Sequence, residues 1–157
     1  MSTPDALTCG MDLAFAQAEL GKQEGGIPIG CVLIGPSDDL AASVYGSGHN
    51  LRLQRSSAVL HAEMAALEDA GRLAPAVYKT ATMFTTLSPC SMCTGAILLY
   101  GIPRVVIGEN TNFKGDEDLL RSRGVEVIVL DDERCRVLMG EFIRDHPEEW
   151  YEDIGKE

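Results

Sequence analysis

Thr80-Ala81-Thr82-Met83-Phe84-Thr85-Thr86-Leu87-Ser88-Pro89-Cys90-Ser91-Met92-Cys93-Thr94-Gly95-Ala96-Ile97-Leu98-Leu99-Tyr100 reads as a strand, a break and a helix. Thr80 to Leu87 is rich in Thr and alternates loosely, as a strand does. Ser88-Pro89 ends it, and Pro is tolerated in a first helical turn because its missing N–H would be unpaired there anyway. The helix then runs from about Cys90 to Tyr100. Working outward, Arg104 to Gly108 and Val125 to Leu130 read as further strands, with a short helix at Asp116 to Arg123 between them. Strands that alternate with helices call for a parallel arrangement covered on both faces.

The first half adds two strands. Asp5 to Glu24 reads as a helix, with Leu7, Met11, Phe15, Ala18 and Leu20 near the helical period. Gly25-Gly26 ends it. Ile29 to Ile34 is an apolar run of strand length, Gly35-Pro36-Ser37-Asp38 turns the chain, and Ala42 to Gly48 pairs back antiparallel. His61 to Ala70 is helical, with Gly71 as its C′ residue. A last long helix follows Asp131-Asp132-Glu133, with Val137, Leu138, Phe142 and Ile143 on one face. The expected architecture is a three-layer α/β/α sandwich around a five-stranded mixed sheet, in a single domain spanning 1–157.

A chain of 157 residues is long enough to bury a substantial core. Its longest apolar runs are too short to cross a bilayer, so no membrane partner is expected. Met1 to Gly10 lacks the basic start and hydrophobic stretch of a secretory signal. The net charge of −11, from 13 basic and 24 acidic residues, disfavours nucleic acid, whose binding draws on Lys and Arg at phosphates. Five cysteines without a secretory signal point to free thiols in a reducing cytoplasm. Of these, Cys9, Cys31 and Cys135 are isolated and read as small buried apolar residues.

Cys90 and Cys93 are spaced for a metal, and His61-Ala62-Glu63 supplies an imidazole and a spare carboxylate. Structural zinc takes four protein ligands, whereas catalytic zinc takes three and leaves a corner for water. Here the evident ligands stop at His61, Cys90 and Cys93. Residues two apart point to opposite sides of a helix, so His61 and Glu63 can share a site only at a first turn. Two helix N-termini would then face one point and favour anionic groups there. Zinc brings the pKa of a bound water from about 15.7 towards 7, and Glu63 can carry the proton to a leaving group. A structural zinc would need a fourth ligand from Cys31, Cys135 or His49, none of which shows paired spacing. A redox pair at Cys90 and Cys93 would leave His61 and Glu63 unused.

The chain closely resembles the fungal-type cytosine deaminases of the cytidine deaminase superfamily, from about Leu13 to Ile154. The resemblance is carried by Glu24-Gly25-Gly26-Ile27-Pro28-Ile29-Gly30, Gly48-His49-Asn50, Thr85 to Ile97, Tyr100-Gly101-Ile102-Pro103-Arg104, Asn112-Phe113-Lys114, Val129 to Cys135 and Trp150 to Gly155. It implies hydrolytic deamination of free cytosine to uracil and ammonia, with one Zn2+ per subunit on His61, Cys90 and Cys93, and Glu63 as proton shuttle. It further implies that Asn50 and the Ala62 N–H bind the 2-oxo group, that Asp153 accepts from ring N1–H, and that the Ser88 carbonyl faces the amino group. Phe113, Trp150, Ile29 and Leu87 would wall the ring, residues 147–157 would form a lid, and the chain would be a homodimer.

Taken by themselves, Asn50 reads as a turn residue, Phe113 as core, and Trp150 and Asp153 as part of a solvated acidic tail. His49 reads as structural and His146, before Pro147, as a helix-end residue. Ala62 stands where the fungal enzymes carry Gly, the loop from Gly35 to Ser47 differs, and the stretch after Lys114 is shorter. Three alternatives stay open: the same chemistry on another small amino-heterocycle (creatinine-like, 5-methylcytosine, purine or triazine), a tRNA or DNA deaminase, and a non-catalytic zinc-binding relative.

Overall fold

The computed structural model describes residues 3–37, 39 and 43–157. In chain order these form α1 (Pro4–Gln23), β1 (Gly30–Ile34), β2 (Val44–His49), α2 (Arg52–Arg55), α3 (Ala62–Ala70), α4 (Pro75–Tyr78), β3 (Thr82–Leu87), α5 (Ser91–Tyr100), β4 (Arg104–Glu109), α6 (Glu117–Ser122), β5 (Glu126–Val129), α7 (Glu133–Asp145) and α8 (Pro147–Asp153). Thr3 caps α1 through its side chain and Asp132 caps α7. Among the described residues no helix is long and apolar enough to cross a membrane.

The five strands lie in the order β2-β1-β3-β4-β5. β1 runs antiparallel to both β2 and β3, whereas β3–β4 and β4–β5 are parallel. The expected mixed sheet is therefore observed, with Ala42 outside the described residues. β3 is central and buried along its whole length, which explains why its alternation is loose: both faces are covered, and Thr and apolar residues occur on each. Met11 and Ala14 of α1 and Cys135 of α7 cover Val32, Ile34, Phe84 and Val106 on one face. On the other, Ala62, Ala66 and Leu67 of α3, Ile97 of α5 and Leu120 of α6 cover Cys31, Leu33, Met83, Val105 and Ile107.

Glycines let α3 approach the sheet. A Cβ at Gly46 would collide with the backbone of Ala66 and Ala70, and one at Gly48 with Ala65 and Ala66. The β2 sequence Gly46-Ser47-Gly48 thus seats α3 directly on the strand, and the first turn of α3 inherits that fixed height.

Some expectations fail locally. Leu20 is 44% exposed and Val137 50% exposed, with Ala14 and Met139 taking the inward positions instead. Cys31 and Cys135 are buried as expected, but Cys9 is exposed. The tail from Pro147 is not a solvated end: it folds as α8, with Trp150 and Asp153 buried. His146 caps the end of α7 and begins α8.

Candidate metal centre

Two of the candidate metal ligands sit at helix starts. His61 is the N-cap of α3 and Cys90 the N-cap of α5, both with extended backbone (φ −61°, ψ 164° and φ −69°, ψ 176°). An N-cap side chain projects over the helix end, so His61 and Glu63 reach one site although they are two residues apart. Cys93 follows one turn after Cys90. The ligand atoms of His61, Cys90 and Cys93 all lie within 4.8 Å of one another, and among the described residues no fourth ligand joins them. Cys90 Sγ is 3.4 Å from His61 Nδ1. Bonds of the length zinc makes to nitrogen and sulfur give tetrahedral edges of roughly 3.3–3.8 Å, so the donor set and this spacing fit the ion. Cys135 packs on the opposite face of the sheet, and His49 is held by Gln17 and Glu24 at 2.8 Å each.

Glu63 is not free to wander. Its carboxylate accepts from the Thr85 hydroxyl at 3.0 Å and from the Cys93 thiol at 3.4 Å. Burial raises its pKa, opposed by its own backbone N–H, His61 and Thr85. The Cys93 thiol, hydrogen-bonded to Cys90, holds the Cys90 sulfur near a pKa of about 4 against burial, with His61 assisting. Cys93, its donor, is pushed upward by that bond and by burial. Burial would lower the His61 imidazole, but Asp153 and Cys90 reverse this and lift it to about 10. The Cys90 sulfur and the Asp153 carboxylate thus hold negative charge on either side of the His61 ring.

Asp153 arrives from the far end of the chain. Its Oδ1 lies 3.1 Å from His61 Nε2 and accepts from Arg52 Nε at 2.7 Å. A carboxylate on the second nitrogen of a metal-binding histidine fixes its tautomer and ring plane. Burial raises the Asp153 pKa, and His61, Arg52 and Asn50 overcome this to lower it. Asn50, fully buried, donates to both Asp153 oxygens at 3.2 Å and accepts from Arg52 N at 2.9 Å.

Ile29, Leu87, Ser88, Phe113, Trp150 and Asp153 close over His61, Glu63 and Cys90, leaving a cavity of about 20 Å3. Phe113 and Trp150 meet edge to face, with centroids 5.8 Å apart. Asn50 and Ala62 are fully buried and do not line this cavity. Ala62 N–H occupies the first position of α3, where it has no intrahelical partner. A far larger groove, about 770 Å3 between α3, α4 and α5, holds none of these groups.

Three residues at or around the site escaped the sequence reading: Thr85 under Glu63, Arg52 on Asp153, and Ile154 in the cavity wall. Thr85 was visible as an inward residue of β3, on the same face as Met83 and Leu87, but nothing local marks what lies opposite. Arg52 is followed by Leu53-Gln54-Arg55 in a polar turn, so it reads as an ordinary surface cation.

Residues 6–109 match the cytidine and deoxycytidylate deaminase zinc-binding region. The chain is 57% identical to a cytosine deaminase of Candida albicans, over 94% of this chain and 95% of that one. It is 37% identical to a tRNA-specific adenosine deaminase of Streptococcus pyogenes, over 79% and 72% of the two chains. In fold it is similar to a guanine deaminase from Nitrosomonas europaea, with TM-score 0.62, 22% identity and 90% and 85% of the chains covered. A tRNA:A34 deaminase structure gives TM-score 0.66 at 24% identity, covering 83% and 99%.

Proposed function

This chain belongs to the cytidine and deoxycytidylate deaminase family and is a zinc-dependent deaminase, and we propose that it hydrolyses the free base cytosine to uracil and ammonia. His61, Cys90 and Cys93 would hold the zinc, which when bound acidifies water so that a nucleophile is available near neutral pH. The observation that carries the reading is Glu63, buried beside a three-ligand centre with no fourth protein ligand among the described residues. Its carboxylate is fixed by Thr85, and its raised pKa suits a group that takes a proton and returns it. It would deliver that proton to ring N3 and then carry a second one, from the hydroxyl gained at C4, to the departing amine, which leaves as ammonia as the C4 carbonyl forms.

The remaining wall residues orient the ring. Among the described residues Asp153 Oδ2 receives only the bond from Asn50, so it keeps capacity for the ring N1–H. A nucleoside carries its sugar at N1 and lacks that proton, so the buried carboxylate selects free bases. Asn50 and Ala62 N–H would take the 2-oxo group, and Phe113, Trp150, Ile29 and Leu87 the ring faces. A cavity of about 20 Å3 holds little more than one water, so residues 147–157 would act as a lid that opens for the base. We place the chain in the cytoplasm, where its thiol ligands stay reduced, as a homodimer. The exposed apolar residues Val59, Leu99 and Tyr100 support association.

The 37% identity to a tRNA-specific adenosine deaminase favours a second reading, a base within RNA. The net charge of −11 works against it. Ammonia release from the zinc-loaded protein, compared across cytosine, cytidine, 5-methylcytosine, creatinine, guanine, adenine and an adenosine-bearing tRNA, separates the two. Cytosine is expected to lead and cytidine to be very poor; rapid turnover of cytidine or tRNA would overturn the assignment.

A further inference from the structure

Beyond Glu63 and Asp153, two further carboxylates are buried among the described residues, Glu109 and Glu117, and neither has a part in the chemistry above. Glu117, at the start of α6, is 1% exposed. Burying a charge is costly unless hydrogen bonds compensate it. Ser88 donates its hydroxyl to Glu117 Oε2 at 2.6 Å, a charge-assisted bond at the short end of the range. Asn110 Nδ2 donates to Oε1 at 3.2 Å, and Arg121 stands 3.8 Å away.

The same hydroxyl accepts from Gly115 N at 2.9 Å, and Pro89 O accepts from Asp116 N at 3.2 Å. A Cβ at Gly115 would collide with the Pro89 carbonyl, so this contact is as close as backbone allows. Ser88 N donates to Glu109 O at 3.1 Å. The Ser88 hydroxyl and N–H are therefore both taken up by Glu117, Gly115 and Glu109, none of which lines the cavity, although Ser88 does. None of the hydrogen bonds among the described residues ends on its carbonyl. What Ser88 offers the cavity is an unpaired backbone oxygen, and Cys90 follows two residues later.

We propose that Glu117 is a positioning residue, acting through Ser88 to fix the Ser88-Pro89-Cys90 turn, so that the Ser88 carbonyl is held ready for the leaving amine and Cys90 for the metal. The role of the carbonyl rests on the cytosine reading; the hold on Cys90 does not. An amine that gains a proton as it departs binds a carbonyl more tightly than the neutral amino group does. The contact therefore strengthens towards the transition state and belongs in kcat rather than KM.

Glu117→Ala, Glu117→Gln and Ser88→Ala, each zinc-loaded, test this beside the parent protein. With cytosine, Glu117→Ala and Ser88→Ala are expected to lose about 10- to 100-fold in kcat. Their KM should stay within about threefold of the parent. Binding of 2-pyrimidinone, the ring without its 4-amino group, should be retained, and Glu117→Gln should recover most of kcat because its amide oxygen still accepts from Ser88. Release of zinc to a chelator, which needs no substrate, should quicken about tenfold in both alanine variants. Parental kcat in either alanine variant, or loss of 2-pyrimidinone binding in step with kcat, overturns the proposal. If Glu117→Ala does not fold, Ser88→Ala decides. A parent inactive on cytosine sinks the substrate assignment alone; zinc release then decides the strut, unchanged release refuting it.

Discussion

The floor of the site and its cover are built on different physical terms. The floor consists of His61, Glu63, Cys90 and Cys93 at the first turns of α3 and α5, set on the all-buried strand β3. Helix length, glycine contacts and sheet packing fix it, and its ligands come from two short motifs. The cover consists of Phe113, Trp150 and Asp153, drawn from a loop and from the last helix. Its two rings pack on the apolar core, but its carboxylate is tied down by polar contacts: Arg52 and Asn50 reach Asp153 across about a hundred residues of sequence. Packing resists small displacements all along its surface, whereas a polar tie is lost when one partner goes. The floor should therefore govern whether chemistry occurs, and the cover which molecule is admitted and how tightly.

The severest test of that division is removal of the metal. Chelation should abolish ammonia release and added zinc restore it. The far-UV circular dichroism should persist throughout, because two apolar clusters hold the sheet without the ion. Turnover surviving complete chelation would refute the metal's role, and collapse of the fold would make it structural.

Next comes Glu63→Ala. The protein should keep one zinc per chain by elemental analysis and lose about 10²- to 10⁴-fold in kcat, the usual contribution of a positioned proton carrier. Near-parental kcat would defeat the assignment.

On the cover side, Arg52→Ala removes the shortest bond to buried Asp153. A hydrogen bond to a charged group contributes about 1.5–3 kcal/mol, so KM for cytosine should rise roughly 10- to 150-fold. Zinc content should not change, and selectivity against cytidine should weaken. If kcat fell instead with KM intact, floor and cover could not be treated separately.

The smallest effect is expected from Thr85→Val, which keeps side-chain shape and loses one bond to Glu63. A net value near 0.5–1.5 kcal/mol translates to about a 2- to 13-fold loss of kcat, read in steady state with KM unchanged. A larger loss than that of Glu63→Ala would show that Thr85 acts by some other route.

The floor was largely legible in the chain. Pro89 and Gly71 punctuate the helices, and the break at Ser88-Pro89 put Cys90 at a helix start, where the structure places it as N-cap. The cover was not legible from local pattern. Glu148, Glu149, Glu152 and Asp153 around a single Trp read as a solvated tail, and only family resemblance marked Trp150 and Asp153. Arg52, Thr85 and Glu117 went unseen because each is defined by a partner twenty or more residues distant.

By itself, the sequence determined the element order, the metal-binding donor set and the acidic character that disfavours polynucleotides. These follow from spacing and composition, properties carried within a few neighbouring residues or summed over all of them. Only the tertiary structure decided that α8 folds back as a wall, that Asp153 braces His61, and that buried Glu117 grips Ser88. Each of those depends on which distant groups the packed sheet brings within hydrogen-bond reach, and a one-dimensional pattern holds no record of that distance.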